Sequence, residues 1–120
     1  MDKIMNTEIN LKKIIYLASP YSHPNDEIRE QRFKDIAKIS AELNSQGIIA
    51  FSPIVYGHTL LDFKEMPTDW KFWQTFCLSF LQHSDELHVY KMDGWEMSSG
   101  IAEEIKFAEQ NNIPVKFFEF

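Results

Sequence analysis

The residues best suited to chemistry sit in one stretch, Gly94-Trp95-Glu96-Met97-Ser98-Ser99-Gly100-Ile101-Ala102-Glu103-Glu104. Hydroxyl residues and a glycine at a helix start leave backbone N–H groups free to hold an anion. The Ser98 and Ser99 hydroxyls add donors for a phosphate or a sugar oxygen. With ~100° of rotation per helical residue, Ile101, Ile105 and Ala108 share an apolar face, Glu104 falls at its border and Glu103 lies on the far side. Glu104 can therefore be half-buried beside a crevice, where a carboxylate serves as a nucleophile, while Glu103 stays solvated. The same residues also suit structural work, because serine caps helices and an acidic residue in the first turns complements the helix dipole.

Tyr16 lies among apolar neighbours in Lys13-Ile14-Ile15-Tyr16-Leu17-Ala18. From there its phenol can reach across to orient a carboxylate, or it can be a core tyrosine with a satisfied hydroxyl. Asp85 and Asp93 read as turn and loop residues. His23, His58, His83 and His88 show no metal-ligand spacing and have no partner cysteines, so no metal or other cofactor is expected. The chain carries no G-x-G-x-x-G, P-loop or G-x-S-x-G motif, which removes dinucleotide, P-loop and α/β-hydrolase chemistry.

The elements that must position these groups alternate. Residues Lys13 to Ala18 form a short apolar strand stopped by Ser19-Pro20, and Tyr21 to Asp26 a loop. Asn25 or Asp26 caps a helix that Gly47 ends, and Ile48 to Ser52 repeats the strand pattern before Pro53. The segment from there to Pro67 reads as a long loop, a functional cover carrying Tyr56, His58 and Phe63. Thr68 starts a second helix with Asp69 in its first turn and an aromatic run from Trp70 to Leu81. Glu86 to Tyr90 is a strand, Lys91 to Met97 a loop, Ser98 to Asn111 a helix and Pro114 to Phe118 the last strand.

This alternation predicts an α/β fold: a three-layer, flavodoxin- or Rossmann-like parallel sheet of four to five strands in order 2-1-3-4, with helices on both faces. Ligands in such sheets bind at the carboxyl ends of the strands, so the loops at Ser19 to Asp26 and Lys91 to Gly100 should face each other across a crevice.

The chain has 120 residues, 44% of them hydrophobic, and its ten Phe, four Tyr and three Trp can fill one core. A single domain over 1–120 with a polar leader at 1–12 is expected. Eighteen acidic against twelve basic residues, a formal charge of −6, oppose a nucleic-acid polymer but permit a mononucleotide bound by local N–H groups. One cysteine and no signal-like or membrane-length apolar run point to a reducing cytoplasm and no membrane partner.

Three pieces, Tyr16-Leu-Ala-Ser-Pro-Tyr21, Ser84-Asp85 before a strand, and Gly94-Trp95-x-x-Ser98-x-Gly100-x-x-x-Glu104-Ile-x-x-Ala108, share an order and spacing that resembles the nucleoside 2-deoxyribosyltransferase superfamily, over about residues 13 to 118. Within it the chain looks closest to small phage- and bacteria-type domains of unassigned function with a Gly-Trp turn. The resemblance implies that Glu104 attacks the anomeric carbon of a nucleoside or nucleotide and that Tyr16 orients it. The transferases carry an aspartate at the place of Ser98, whereas deoxynucleoside 5′-monophosphate N-hydrolases have serine there for the phosphate, which favours a monophosphate. In those hydrolases the loop after the first strand also binds phosphate, which adds Ser19, Tyr21 and Ser22 to the binding candidates, with Trp95 of the Gly-Trp turn, although this loop lacks the arginine. An aspartate common in the family, eight residues before Asp85, is here Cys77; a thiol cannot replace a carboxylate, and Asp69 is the candidate substitute.

Three readings follow. The first is an N-glycosidase or deoxyribosyltransferase. The second is a nucleotide-binding module without turnover, such as a sensor or sponge. In the third, the aromatic run Trp70 to Phe80 is a self-association surface, as superfamily members are typically dimers or tetramers, and this is compatible with the first.

Overall fold

The computed structural model describes residues 10–120, so most of the polar leader (1–9) lies outside the described residues. Four strands, β1 (Ile14–Ala18), β2 (Ile49–Phe51), β3 (Glu86–Lys91) and β4 (Val115–Glu119), form one parallel sheet in order β2-β1-β3-β4. The register pairs Tyr16 with Phe51 on one side and with Leu87 on the other. Helices α1 (Asp26–Ser45), α2 (Pro53–Leu60), α3 (Trp70–Gln82) and α4 (Ser99–Gln110) connect them, with a 3-10 turn at Trp95–Met97.

Alternation along the strands divides the apolar residues between the two faces of the sheet. Tyr16, Ala18, Leu87 and Val89 pack with Cys77 and Leu81 of α3 and with Ile101 and Ala108 of α4. Leu17, Tyr90 and the half-buried Ile15 and Ala50 pack with Ile36 of α1 and Ile54 of α2. Helices thus cover both faces, the layering that a parallel sheet needs because neither of its faces can be left to water.

The stretch read as a long loop through Pro67 is a helix over its first half. Ser52 is the reason: its Oγ accepts from Val55 N at 3.1 Å, and Pro53 occupies the first turn, where the missing N–H costs nothing. Asn25 caps α1, its Oδ1 accepting from Glu27 N at 2.7 Å and Ile28 N at 3.3 Å. Helix α3 begins at Trp70, two residues after the expected start at Thr68, with Asp69 in the N-cap position but making no side-chain cap bond.

At the amino end of the sheet, Asp85 and Ile14 exchange two bonds of 2.8 Å, Ile14 N to Asp85 Oδ2 and Asp85 N to Ile14 O. Glu86 gathers His88 at 2.8 Å, Lys13 at 3.0 Å and Lys116 at 3.2 Å, and these partners, His88 first, hold its carboxyl down at about 2. Both acids fasten strands to one another at the end opposite the expected crevice. Among the described residues, no helix is long and apolar enough to cross a membrane.

Candidate active site

A cavity of about 400 Å³ opens at the carboxyl ends of β1 and β3, walled by the loop after β1, by α2, and by the starts of α3 and α4. Its size suits a small molecule. Glu104 lines it, 4% exposed, and accepts a hydrogen bond at Oε2 from the phenol of Tyr16, which lies behind the wall and is fully buried. The bond engages Oε2, and Oε1 has no hydrogen-bond partner among the described residues.

Burial drives the electrostatics of this pair. Desolvation pushes the Glu104 carboxyl up to about 8, against the opposing pull of the Tyr16 hydrogen bond. Tyr16 is raised well above its ordinary value by burial first, then by the nearby Glu104 charge and Cys77. Cys77 lies beside them in the cavity wall, and burial, then the Glu104 charge, pushes its thiol up to about 12. It is therefore a neutral thiol at neutral pH and offers no acid in place of a carboxylate.

Of the residues expected from sequence, Ser19, Tyr21, Ser22, Asp69, Ser98, Ser99, Gly100 and Glu104 all line the cavity. Ser98 does two things at once: its Oγ caps α4 by accepting from Ile101 N at 3.1 Å, which leaves its proton free to point at a ligand. Asp69 is exposed at the cavity rim. Ser19 is 6% exposed, and its Oγ has no hydrogen-bond partner among the described residues; the same holds for Trp70 Nε1. Two buried donors without partners in one cavity wall are unusual in a folded protein and fit a polar ligand.

Trp95 departs from the expectation. It turns away from the cavity and packs on Phe117 of β4, ring centroids 6.0 Å apart, with Lys91 Nζ 5.8 Å over its face. The 3-10 turn explains this, since it directs the large ring toward the open edge at β4 while Gly94 faces the cavity.

Arg32 of α1 was not legible as a site residue. Its guanidinium donates to the carbonyls of Ser22 (3.0 Å), Tyr21 (3.4 Å) and Asp93 (3.3 Å), bridging the two loops that frame the cavity. No carboxylate pairs with it among the described residues, so a positive charge is held in the wall of an otherwise acidic protein. The first loop has no arginine, and α1 supplies one from ten residues further on. Gly94 makes room for it: its φ is +88°, and a Cβ there would stand 2.5 Å from Arg32 Nη2. Gly100 likewise lets α4 approach α3, since a Cβ would meet Trp70 Cε3 at 3.0 Å.

His58 was also not assigned to the site. The helix α2 brings it into the cavity wall, where its Nδ1 meets the Tyr21 hydroxyl at 2.8 Å and its Nε2 meets Glu30 Oε1 of α1 at 2.9 Å. The only hint in the sequence was its place in a segment read as a cover. Among the described residues, no group of three or more His, Cys, Asp or Glu side chains is arranged to hold a metal ion.

No curated protein matches the chain. A family model does match, over residues 13–120 and so over both halves of the sheet and every cavity-lining residue: the chain belongs to the family described as Domain of unknown function (DUF1937).

Proposed function

We propose that this protein cleaves or transfers the N-glycosidic bond of a nucleoside or nucleoside 5′-monophosphate, with Glu104 as nucleophile. The observation that carries this reading is the Glu104–Tyr16 pair: a buried carboxyl, one oxygen of which is held by a buried phenol, on a residue that lines a cavity of about 400 Å³. A carboxylate withdrawn from water is more basic and less shielded than a solvated one.

In the first step Oε1 bonds to the anomeric carbon as the C–N bond breaks and its electron pair leaves with the base. In the second, water or another base attacks the glycosyl ester and frees Glu104. Tyr16 orients the carboxylate and, by donating to it, favours the ionised form that the step requires. The Ser98 and Ser99 hydroxyls, the N–H groups at the start of the twelve-residue α4, and the Arg32 guanidinium together favour a phosphate-bearing substrate. Asp69, at the rim, is the group available to a sugar hydroxyl.

A second reading rests on Cys77. A neutral thiol beside the Tyr16–Glu104 pair, where the resembling superfamily commonly has an aspartate, favours a nucleotide-binding module without turnover.

One experiment separates the two. The protein is incubated with ribo- and deoxynucleosides and their 5′-monophosphates, with Glu104→Ala in parallel, and released base is followed by chromatography. Base release that disappears in the variant supports the enzyme and names the substrate. Tight binding of one nucleotide with no release from any overturns the enzyme in favour of the binding module.

A further inference from the structure

The glycosidic reading of Glu104 leaves one chemical requirement unmet. A base expelled with an electron pair is a poor leaving group unless one of its ring nitrogens takes a proton as the C–N bond breaks. Cys77 sits beside the Tyr16–Glu104 pair, at the nucleophile's own place in the cavity wall and not across the cavity from it. Glu104 is itself consumed as nucleophile, and Asp69 is exposed at the rim. The acid has to come from another part of the cavity wall.

Three residues from three elements form a chain there. The Tyr21 phenol, from the loop after β1, meets His58 Nδ1 of α2 at 2.8 Å, and His58 Nε2 meets Glu30 Oε1 of α1 at 2.9 Å. The imidazole is fixed in orientation. It stacks on Phe33 with centroids 4.2 Å apart and an interplanar angle of 21°, and it stands at 83° to the Tyr21 ring. Its side chain is only 17% exposed. Both ring nitrogens are engaged, so His58 has none left for a ligand. Tyr21 lines the cavity, so the polar end of the chain that can meet a ligand is its hydroxyl. Carboxylate, imidazole and hydroxyl in this order are the arrangement in which a hydroxyl proton is exchanged through an oriented ring.

We propose that Tyr21, backed by His58 and Glu30, is the acid that protonates the departing base. As Glu104 Oε1 bonds to the anomeric carbon and the C–N bond breaks, the Tyr21 proton passes to a ring nitrogen of the base. The Tyr21 oxygen, left as a phenolate, stays hydrogen-bonded to His58 Nδ1, and Glu30 orients the ring through Nε2. In the second step water attacks the anomeric carbon, the bond to Glu104 breaks, and the proton shed by water returns to Tyr21, so the cycle closes with every group in its starting form. Burial raises the phenol of Tyr21, in spite of the nearby Arg29 charge, and so keeps it protonated until the transfer. Tyr21 touches substrate and is catalytic; His58 and Glu30 act through it as positioning residues.

The test compares a purine 2′-deoxynucleoside 5′-monophosphate with its N7-methylated form, whose base carries its positive charge already and leaves without a proton. Tyr21→Phe should lose about 100-fold in kcat on the unmethylated substrate and less than about threefold on the methylated one, in line with the usual worth of an acid catalyst. His58→Gln should shift the same ratio in the same direction, which a merely structural loss would not do. Glu104→Ala should abolish both reactions. Equal losses on the two substrates for Tyr21→Phe, with Glu104 still essential, overturn the acid role and leave the glycosidic reading standing. Wild-type protein that cleaves neither substrate overturns the acid role, and the glycosidic reading falls with it when no nucleoside or 5′-monophosphate of the panel releases its base.

Discussion

The Tyr16 phenol donates its proton to Oε2 of Glu104 across 88 positions of sequence, and both side chains are withdrawn from solvent, at 0% and 4% exposure. The bond joins the middle of β1 to the second turn of α4. It opposes the desolvation that pushes Glu104 up to about 8. Removing it in Tyr16→Phe should therefore move the midpoint of the kcat/KM profile further alkaline. Loss of a hydrogen bond to a charged group, about 1.5–3 kcal/mol, should lower kcat/KM by roughly 10- to 100-fold at neutral pH. A full pH–rate profile of the variant against wild type checks both.

For the unmodified protein the same shift fixes a direction. Glu104 must be ionised to attack, so activity should rise with pH through a midpoint at about 8 and level off only above it. An activity that rises only through pH 4 to 5 would mean an ordinary solvated carboxylate.

Stability should run the other way. The folded carboxyl titrates at about 8, above the 4.5 of the unshifted group. The folded protein therefore keeps a proton that the unfolded chain gives up between those values. Stability falls as pH rises through that window, by at most about 1.4 kcal/mol per unit. In Glu104→Gln nothing titrates there, so its melting temperature should exceed that of wild type by more at pH 8 than at pH 5. Thermal melts at the two pH values measure the difference.

Arg32 sits in the cavity wall with no carboxylate paired to it among the described residues, and its effect should depend on phosphate. Arg32→Gln should weaken a bound nucleoside 5′-monophosphate by roughly 10- to 100-fold, the worth of a charge-assisted bond of about 1.5–3 kcal/mol. The matching nucleoside should change little. Calorimetric titration of the pair on both proteins is the check, and equal weakening of both ligands would place Arg32 in loop positioning alone.

Gly94 should resist substitution for two separate reasons. Gly94→Ala forces a side chain into positive φ, at a cost of about 1–2 kcal/mol, and drives its Cβ into Arg32 Nη2. We expect a lower melting temperature together with weakened monophosphate binding. Gly100→Ala, at normal φ but tight against Trp70, should cost stability by pressing α4 away from α3.

By itself the amino-acid sequence determined the four parallel strands, their order and three of the four helices. Apolar runs such as Ile14 to Ala18, the Asn25 cap and Gly47 are local signals, and a parallel sheet with right-handed crossovers leaves few arrangements for them. It also brought Ser98, Ser99, Gly100 and Glu104 together, because they share one strand-to-helix turn. The helix α2 escaped because Pro53 ends a strand and starts a helix with the same fixed φ, and only the Ser52 cap distinguishes the two roles. Tertiary structure alone decided the rest. Arg32 and His58 sit on helices with nothing local to mark them, and they reach the cavity because the fold sets the first turns of α1 and the helix α2 in its wall. Trp95 left the cavity because a 3-10 turn rotated it toward β4. The proton affinity of Glu104 follows from how much water the packed chain removes around it, a property of α3, α4 and β1 together that no spacing of residues encodes.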